Sequence, residues 1–196
     1  MENSEHFTVA ADIQTVNLPE RFDKERKKLL YNADYFVQTL DMTPHPEGGF
    51  YKECYAGEDC ITSKELDVSY EGKRKLWTSI YFLLRDGEVS NFHRLKSDEM
   101  WYYHAGSPLT IYMITPEGTL RKEQLGLDIK KGEKPQILVP KGYIFGSAMN
   151  ESGFALVGCM VAPGFEFRDF ELFQRDELLK QYPQYKEEIL KLTPKL

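Results

Sequence analysis

Residues 87–106 read GEVSNFHRLKSDEMWYYHAG, and the fold of the chain turns on how this stretch is laid out. Val89 to Arg94 and Glu99 to His104 read as two short strands separated by the polar corner Lys96-Ser97-Asp98. Successive side chains of a strand point to opposite faces, so His93 and Leu95 share one face. With Glu99 on that same face, Trp101 and Tyr103 join it and Tyr102 and His104 look the other way, an alternation that a bulge would invert. An imidazole, a carboxylate and two large aromatics then converge on one side of a sheet.

The sequence on either side repeats the pattern. Short strands alternate with turn residues over 50–55, 78–84, 89–94, 99–104, 109–114, 119–125, 136–139, 143–149 and 155–161. Many short strands at this spacing predict a barrel or a sandwich. Pro116-Glu117-Gly118 and Pro140-Lys141-Gly142 join neighbouring strands, with proline pre-set for the first corner position and glycine relieving strain at the last. The polar segment 57–75 reads as a surface loop. Upstream, Leu29, Leu30, Ala33, Phe36, Val37 and Leu40 recur at helical steps and predict a helix with one apolar face. The turn PHPEGG at 44–49 ends it, because Pro44 disfavours helix in the residue before it and two successive glycines permit backbone angles other residues avoid. Downstream, Leu178, Leu179 and Tyr182, then Tyr185, Ile189 and Leu190, predict two short helices that cap the barrel, with Pro183 opening the second.

Composition sets the outer limits. With 196 residues, 41% hydrophobic and 29% charged, the chain can bury a substantial single core, and its 12 tyrosines, 12 phenylalanines and two tryptophans suit a β-rich interior. A formal charge of −6 argues against a nucleic-acid partner, which needs a concentrated basic face. The run KERKK at 24–28 reads as a solvated helix face. The amino terminus has no basic segment followed by an apolar run, and no stretch approaches a membrane span, so a cytoplasmic location without a membrane partner is expected. Cys54, Cys60 and Cys159 have neither the number nor the spacing of a disulfide or metal framework and are given no catalytic role.

The stretch 87–106 resembles the first motif of the cupin superfamily. Gly87, His93, Glu99 and Gly106 are in register with it, and Leu95 stands where the second histidine of His-x-His belongs. Pro140-Lys141-Gly142 resembles the second motif, with Phe145 at its histidine position. More specifically, the chain is similar to a cupin family of unknown function whose members have been described as predicted sugar epimerases. The matching segments are PHPEGGFYKE, FHRLKSDEMWYYHAG, GEKPQILVPKGYIFGSA, VGCMVAPGFEFRDFEL and the tail DELLKQYPQYKEEILKLT. The resemblance implies an all-β chain: a cupin-type double-stranded β-helix, or jelly-roll barrel, with flanking N- and C-terminal helices. An N-terminal extension over 1–25 would precede a single cupin domain with helical caps over 26–196, and a homodimer is expected. Family members typically keep a histidine matching His93, an Asp-Glu pair matching Asp98-Glu99, a histidine matching His104 and an aromatic at Phe145.

The resemblance also frames the chemistry. Cupin metal sites draw two histidines and a glutamate from the first motif and a histidine from the second, so two of the four donors are replaced here. One imidazole and one carboxylate are too few for the usual geometries, and no cofactor is expected. Burying His93 and Glu99 requires partners. Either they hydrogen-bond each other as structure, or Glu99 orients and polarises His93 as a general base. In that second reading Tyr103 completes the catalytic set, Tyr81 or Tyr112 being the other nearby proton donors, and Arg94 or Lys52 assists a developing oxyanion. Tyr51, Tyr81, Arg94, Trp101, Tyr112 and Phe145 are expected to line a small-molecule pocket. Three functions are consistent with this set. The first is a metal-independent sugar or nucleotide-sugar epimerase or isomerase using His93 as base. The others are a non-catalytic small-ligand-binding module and a divergent metal-dependent enzyme using His93 and Glu99, with His104 a further donor in another register.

Overall fold

In the computed structural model, which describes residues 31–194 apart from 63, 65 and 67–69, two antiparallel sheets pack face to face. The strands are β1 (Thr43–Pro44), β2 (Phe50–Ala56), β3 (Cys60–Ile61), β4 (Arg74–Lys75), β5 (Thr78–Arg85), β6 (Val89–Leu95), β7 (Asp98–Gly106), β8 (Leu109–Ile114), β9 (Leu120–Leu125), β10 (Gln136–Val139), β11 (Ile144–Met149), β12 (Phe154–Ala162) and β13 (Phe170–Leu172). One sheet runs β1-β2-β5-β12-β7-β10, the other β13-β6-β11-β8-β9, and β3 and β4 form a separate pair. This is the expected jelly-roll barrel. All nine strands read from the sequence are present, with ends displaced by no more than two residues.

The alternation of side chains divides each sheet into an inner and an outer face. Leu95, Trp101, Ile111, Met113, Phe145, Val157 and Cys159 pack in the core between the sheets. Their immediate neighbours face outward: Phe92, Tyr112, Ile114 and Ile144 form the outer surface of the five-stranded sheet. Two helices, α2 (Arg175–Gln181) and α3 (Lys186–Lys191), cover that surface, burying Leu178 and Ile189 completely. A 3-10 turn at Pro183–Tyr185 lies between them, so the proline sits at a helical start as expected. On the other side, α1 (Ala33–Thr39) lays Ala33, Phe36, Val37 and Leu40 against Met42, Leu83 and Leu156 on the six-stranded sheet. Asn32 caps α1 by accepting a hydrogen bond from the Tyr35 amide at 2.8 Å. The described residues from Asn32 onward form one compact unit. The expected extension over 1–25 lies outside the described residues, as do Leu29 and Leu30 of the predicted helix. No helix among the described residues is long and apolar enough to cross a membrane.

The segment 57–75 is not only a surface loop, because it contains β3 and β4 and delivers Arg74, 1% exposed, into the protein. Arg74 donates from Nε to Asp169 Oδ2 at 2.6 Å and from Nη2 to Asp169 Oδ1 at 3.1 Å. That pair anchors a strap, residues 165–172, which runs along the edge of the five-stranded sheet and ends as β13 paired with β6. The strap was invisible as structure because three residues are too few to show strand periodicity.

Candidate functional site

A cavity of about 130 Å³ opens between the sheets. Its walls are aromatic: Tyr51 from β2, Phe82 from β5, Trp101 from β7, and Phe165, Phe167 and Phe170 from the strap. Its polar groups are His45, Glu47, Glu53, Thr78, His93, Glu99 and Cys159, and among the described residues no lysine or arginine lines it. Phe167 is 50% exposed and stacks on His45 with ring centroids 5.9 Å apart, which places it at the opening.

The centre of this wall is Glu47, which lies in the turn predicted over 44–49 and was not among the expected site residues. The two glycines after it explain how a carboxylate reaches the interior from a loop. A side chain at Gly48 would collide with the Val89 carbonyl, and one at Gly49 would meet the Leu83 carbonyl at 2.6 Å, so only glycines let the 44–49 turn lie this close to β5 and β6. The Glu47 carbonyl accepts from the Asn91 amide and from the Asn91 side chain, each at 2.7 Å, locking the turn to β6. Its carboxyl Oε1 accepts from the Ser90 hydroxyl at 2.8 Å. Its Oε2 lies 3.2 Å from His93 Nε2 and 3.4 Å from His45 Nδ1.

The hydrogen-bond partners of the two rings fix the proton. The Asn91 carbonyl, 2.8 Å from His93 Nδ1, can only accept, so Nδ1 carries the hydrogen and a neutral His93 presents a bare Nε2 to Glu47. His45 Nδ1 accepts from the Glu47 amide at 3.3 Å and is bare as well. Two bare ring nitrogens therefore face one carboxyl oxygen, an arrangement that is satisfied when Glu47 is protonated. The electrostatics agree. Burial raises the Glu47 carboxyl well above its usual range, the Glu99 carboxylate raises it further, and the Ser90 hydrogen bond only partly opposes them. Burial lowers His93 to about 3, against the Asn91 contact and with help from His45, and it lowers His45 to about 4.

Glu99 stands on the other sheet. It is 6% exposed, and burial raises its pKa to about 7, opposed by the nearby Trp101 indole and Cys159 thiol. Yet Glu99 Oε2 and Trp101 Nε1 are buried without a hydrogen-bond partner, the indole N–H falling short of bonding geometry. The expectation that Glu99 holds His93 is thus corrected: β6 and β7 belong to different sheets, and the carboxyl that meets His93 is Glu47. Burial also raises the Cys159 thiol well above its usual range, which keeps it un-ionised and unreactive.

The remaining expected residues divide by strand parity. Tyr51 and Trp101 line the cavity, and Phe145 lies directly behind it, its ring centroid 4.0 Å from that of His93. Tyr103 points inward as the alternation required, but its hydroxyl donates to the Gly106 carbonyl at 2.6 Å and it does not line the cavity. Tyr81 lies between the inward Ile80 and Phe82 and so faces outward, against His104 and the α1 cluster. Tyr112 faces outward for the same reason, beneath the C-terminal helices and beside Lys122 and Lys191. Arg94, next to the inward His93, pairs with Glu171 at 2.6 Å on the outside. Lys52 pairs with Asp41 at 2.7 Å. The structure does not bring Tyr81, Tyr112, Arg94 or Tyr103 to the cavity.

The donors do not fit the cupin metal. Leu95 and Phe145, 5% and 1% exposed, fill two of its four ligand positions, and among the described residues no three of His, Cys, Asp and Glu stand as a metal-binding group.

Comparisons with known proteins agree with the fold and leave the chemistry open. A family model described as Cupin superfamily (DUF985) matches residues 34–173. The uncharacterized protein YML079W of Saccharomyces cerevisiae is 29% identical over 158 residues, covering 74% of this chain and 76% of its own length. Among solved structures, protein SO0799 of Shewanella oneidensis is 57% identical with a TM-score of 0.76, covering 85% of this chain and 99% of that one. A hypothetical protein of Leishmania major is 35% identical with a TM-score of 0.75, covering 84% of this chain and all of its own. A barrel built on His93, Glu99 and the Pro140-Lys141-Gly142 turn, matched by its model over most of its length, makes this chain a member of the DUF985 family of the cupin superfamily.

Proposed function

We propose that the cavity binds a small carbohydrate derivative and that the protein acts on it as a metal-independent isomerase or epimerase. One observation carries this reading: two carboxyl groups whose surroundings favour different protonation states face one small cavity. Glu99, at about 7 and with an unpartnered oxygen, is partly ionised at neutral pH and matches a general base. Glu47, held protonated against His93, matches a general acid. His93 has both ring nitrogens engaged, so its role moves from base to positioning residue: it holds the Glu47 carboxyl in place and in its protonated form.

The steps balance without an oxidant. Glu99 takes the proton from a carbon beside a carbonyl as Glu47 gives its proton to the carbonyl oxygen, leaving a neutral enediol and shifting one proton from Glu47 to Glu99. The Ser90 hydroxyl, already donating to Oε1, steadies the Glu47 carboxylate so formed. Glu99 then gives its proton to the former carbonyl carbon while Glu47 takes one back from the hydroxyl of the carbon that was deprotonated, which completes an isomerisation. Delivery to the opposite face of the original carbon, with Glu47 recovering its proton from the former carbonyl oxygen, completes an epimerisation. The aromatic walls stack on the sugar's apolar face and exclude water.

The test is solvent isotope exchange. The protein is incubated in D2O with aldoses, ketoses and nucleotide sugars, and deuterium entering the carbon beside the carbonyl is followed by proton NMR. Exchange is expected, unaffected by chelator and reduced at least about 100-fold in Glu99→Gln, the usual scale of a lost general base. Activity abolished by chelator and restored by metal would instead support the divergent metal enzyme. Thermal stabilisation by a sugar without exchange would support the binding module.

A further inference from the structure

We infer that the group entering the cavity is an uncharged, hydroxyl-bearing sugar carrying no phosphate, carboxylate or amine. The inference rests on the proposed carbohydrate reading and narrows it to a substrate class. Charge comes first. Among the described residues, the side chains that could carry charge in the cavity wall are Glu47, Glu53, Glu99, His45 and His93, with no lysine or arginine among them. An anionic group there would be desolvated beside carboxyls and meet no counter-charge, which disfavours its entry and would drive the carboxyls further toward neutrality.

A neutral ligand and a cationic one differ in the hydrogen bonds they can make. Aromatic walls with nearby carboxylates suit an ammonium group as well as a sugar, so the wall alone does not decide. The unsatisfied atoms do. Glu99 Oε2 is an acceptor and Trp101 Nε1 is a donor, both buried, close to each other but neither in a well-formed hydrogen bond, and carried two residues apart on the inner face of β7. An ammonium donates only and would leave the indole N–H unmatched. A hydroxyl both donates and accepts, so one hydroxyl, or two on adjacent carbons, satisfies the pair. The leaving of a buried polar group unpaired is what makes such a site reject analogues. The cavity of about 130 Å³ is comparable with engineered cavities of about 150 Å³ that hold benzene, and so suits a single small ring rather than a nucleotide.

Equilibrium binding to the whole chain, by calorimetry, tests this with a matched panel. It comprises the neutral aldopentoses, aldohexoses and their ketoses, each set against its phosphate, its sugar acid and its 2-amino counterpart, with UDP-glucose as the nucleotide form. The tightest ligand is expected to be a neutral sugar, with its charged counterparts at least about tenfold weaker. Trp101→Phe, which keeps the aromatic wall and removes the donor, is expected to weaken that sugar about tenfold, the scale of one hydrogen bond in a buried site. A phosphate, acid, amine or nucleotide form binding best overturns the inference, as does unchanged affinity in Trp101→Phe or absence of neutral-sugar binding at millimolar concentration. Binding of a neutral sugar without deuterium exchange would overturn the catalytic proposal while leaving this one standing.

Discussion

Two clusters of buried ionisable side chains lie on either side of the strap, and they are built in opposite ways. Outside it, Arg74 and Asp169 form a bidentate pair with side chains 0% and 6% exposed, and the remaining Arg74 nitrogen donates to the carbonyls of Glu71 and Lys73 at 2.6 and 2.9 Å. Desolvation raises the Asp169 carboxyl, but the Arg74 hydrogen bonds and charge, aided by Lys96, more than reverse it, so both partners are held ionised. Inside it, Glu47, His45, His93 and Glu99 are pushed toward their neutral forms, and two of the polar atoms there have no partner. A fully matched ion pair has no capacity left for a ligand and serves the scaffold. A neutralised, partly unmatched cluster keeps protons that can move.

The sharpest way to break this contrast is to disrupt the matched pair. Arg74→Ala leaves Asp169 charged and buried, and the expected loss is about 4 kcal/mol in urea unfolding. Replacing both partners, Arg74→Met with Asp169→Leu, is expected to recover most of that, because the stranded charge is removed along with the attraction. A single substitution costing under about 1 kcal/mol would mean that the pair is solvated and the contrast false.

The pH dependence of stability probes the other cluster, where the expected effect is next in size. The folded state raises Glu99 from 4.5 to about 7, so it holds a proton that the unfolded chain releases between those values. Stability from this group therefore falls as pH rises from about 4.5 to 7, by roughly 3 kcal/mol in all. Glu99→Gln removes that slope and should gain stability over the native protein above pH 7 while showing little difference near pH 4.5. His93 works in the opposite direction: lowered from 6.5 to about 3, it is neutral in the fold and charged in the unfolded chain, so its contribution is lost as pH falls through that window. Parallel stability profiles for the native protein and Glu99→Gln between pH 5 and 8 would show that Glu99 is already ionised and matched.

The barrel was legible because strand periodicity, Pro-x-Gly corners and the spacing of Gly87, His93, Glu99 and Gly106 are local signals that agree with one another. The placement of Trp101 and Leu95 followed from parity alone. Parity also contained the information that Tyr81 and Arg94 face outward, since each sits one residue from an inward side chain, Phe82 and His93. What the sequence could not show is pairing between distant segments. Glu47 reaches His93 across 46 positions through a turn whose glycines look like ordinary punctuation, and Arg74 meets Asp169 across 95. The signal that was available was the His-Pro-Glu-Gly-Gly run itself, which places an ionisable pair beside two glycines in a loop, where functional groups are often carried.

The smallest expected effect belongs to a third pair, which lies on the surface and marks the lower bound of the comparison. Arg94 and Glu171 meet at 2.6 Å with side chains 42% and 50% exposed, and Arg94 also lies over the Phe173 ring at 5.2 Å. Both charges keep much of their hydration, so the attraction between them is screened and little is stranded when one is removed. Arg94→Ala is expected to cost under about 1 kcal/mol, with a coupling energy to Glu171→Ala of about 0.5 kcal/mol that shrinks further at 1 M salt. Because the side chain points away from the cavity, the same substitution should leave sugar affinity within twofold of the native value. A tenfold loss of affinity with unchanged stability would return Arg94 to the ligand site and would mean that the strap between it and the cavity moves when the ligand binds.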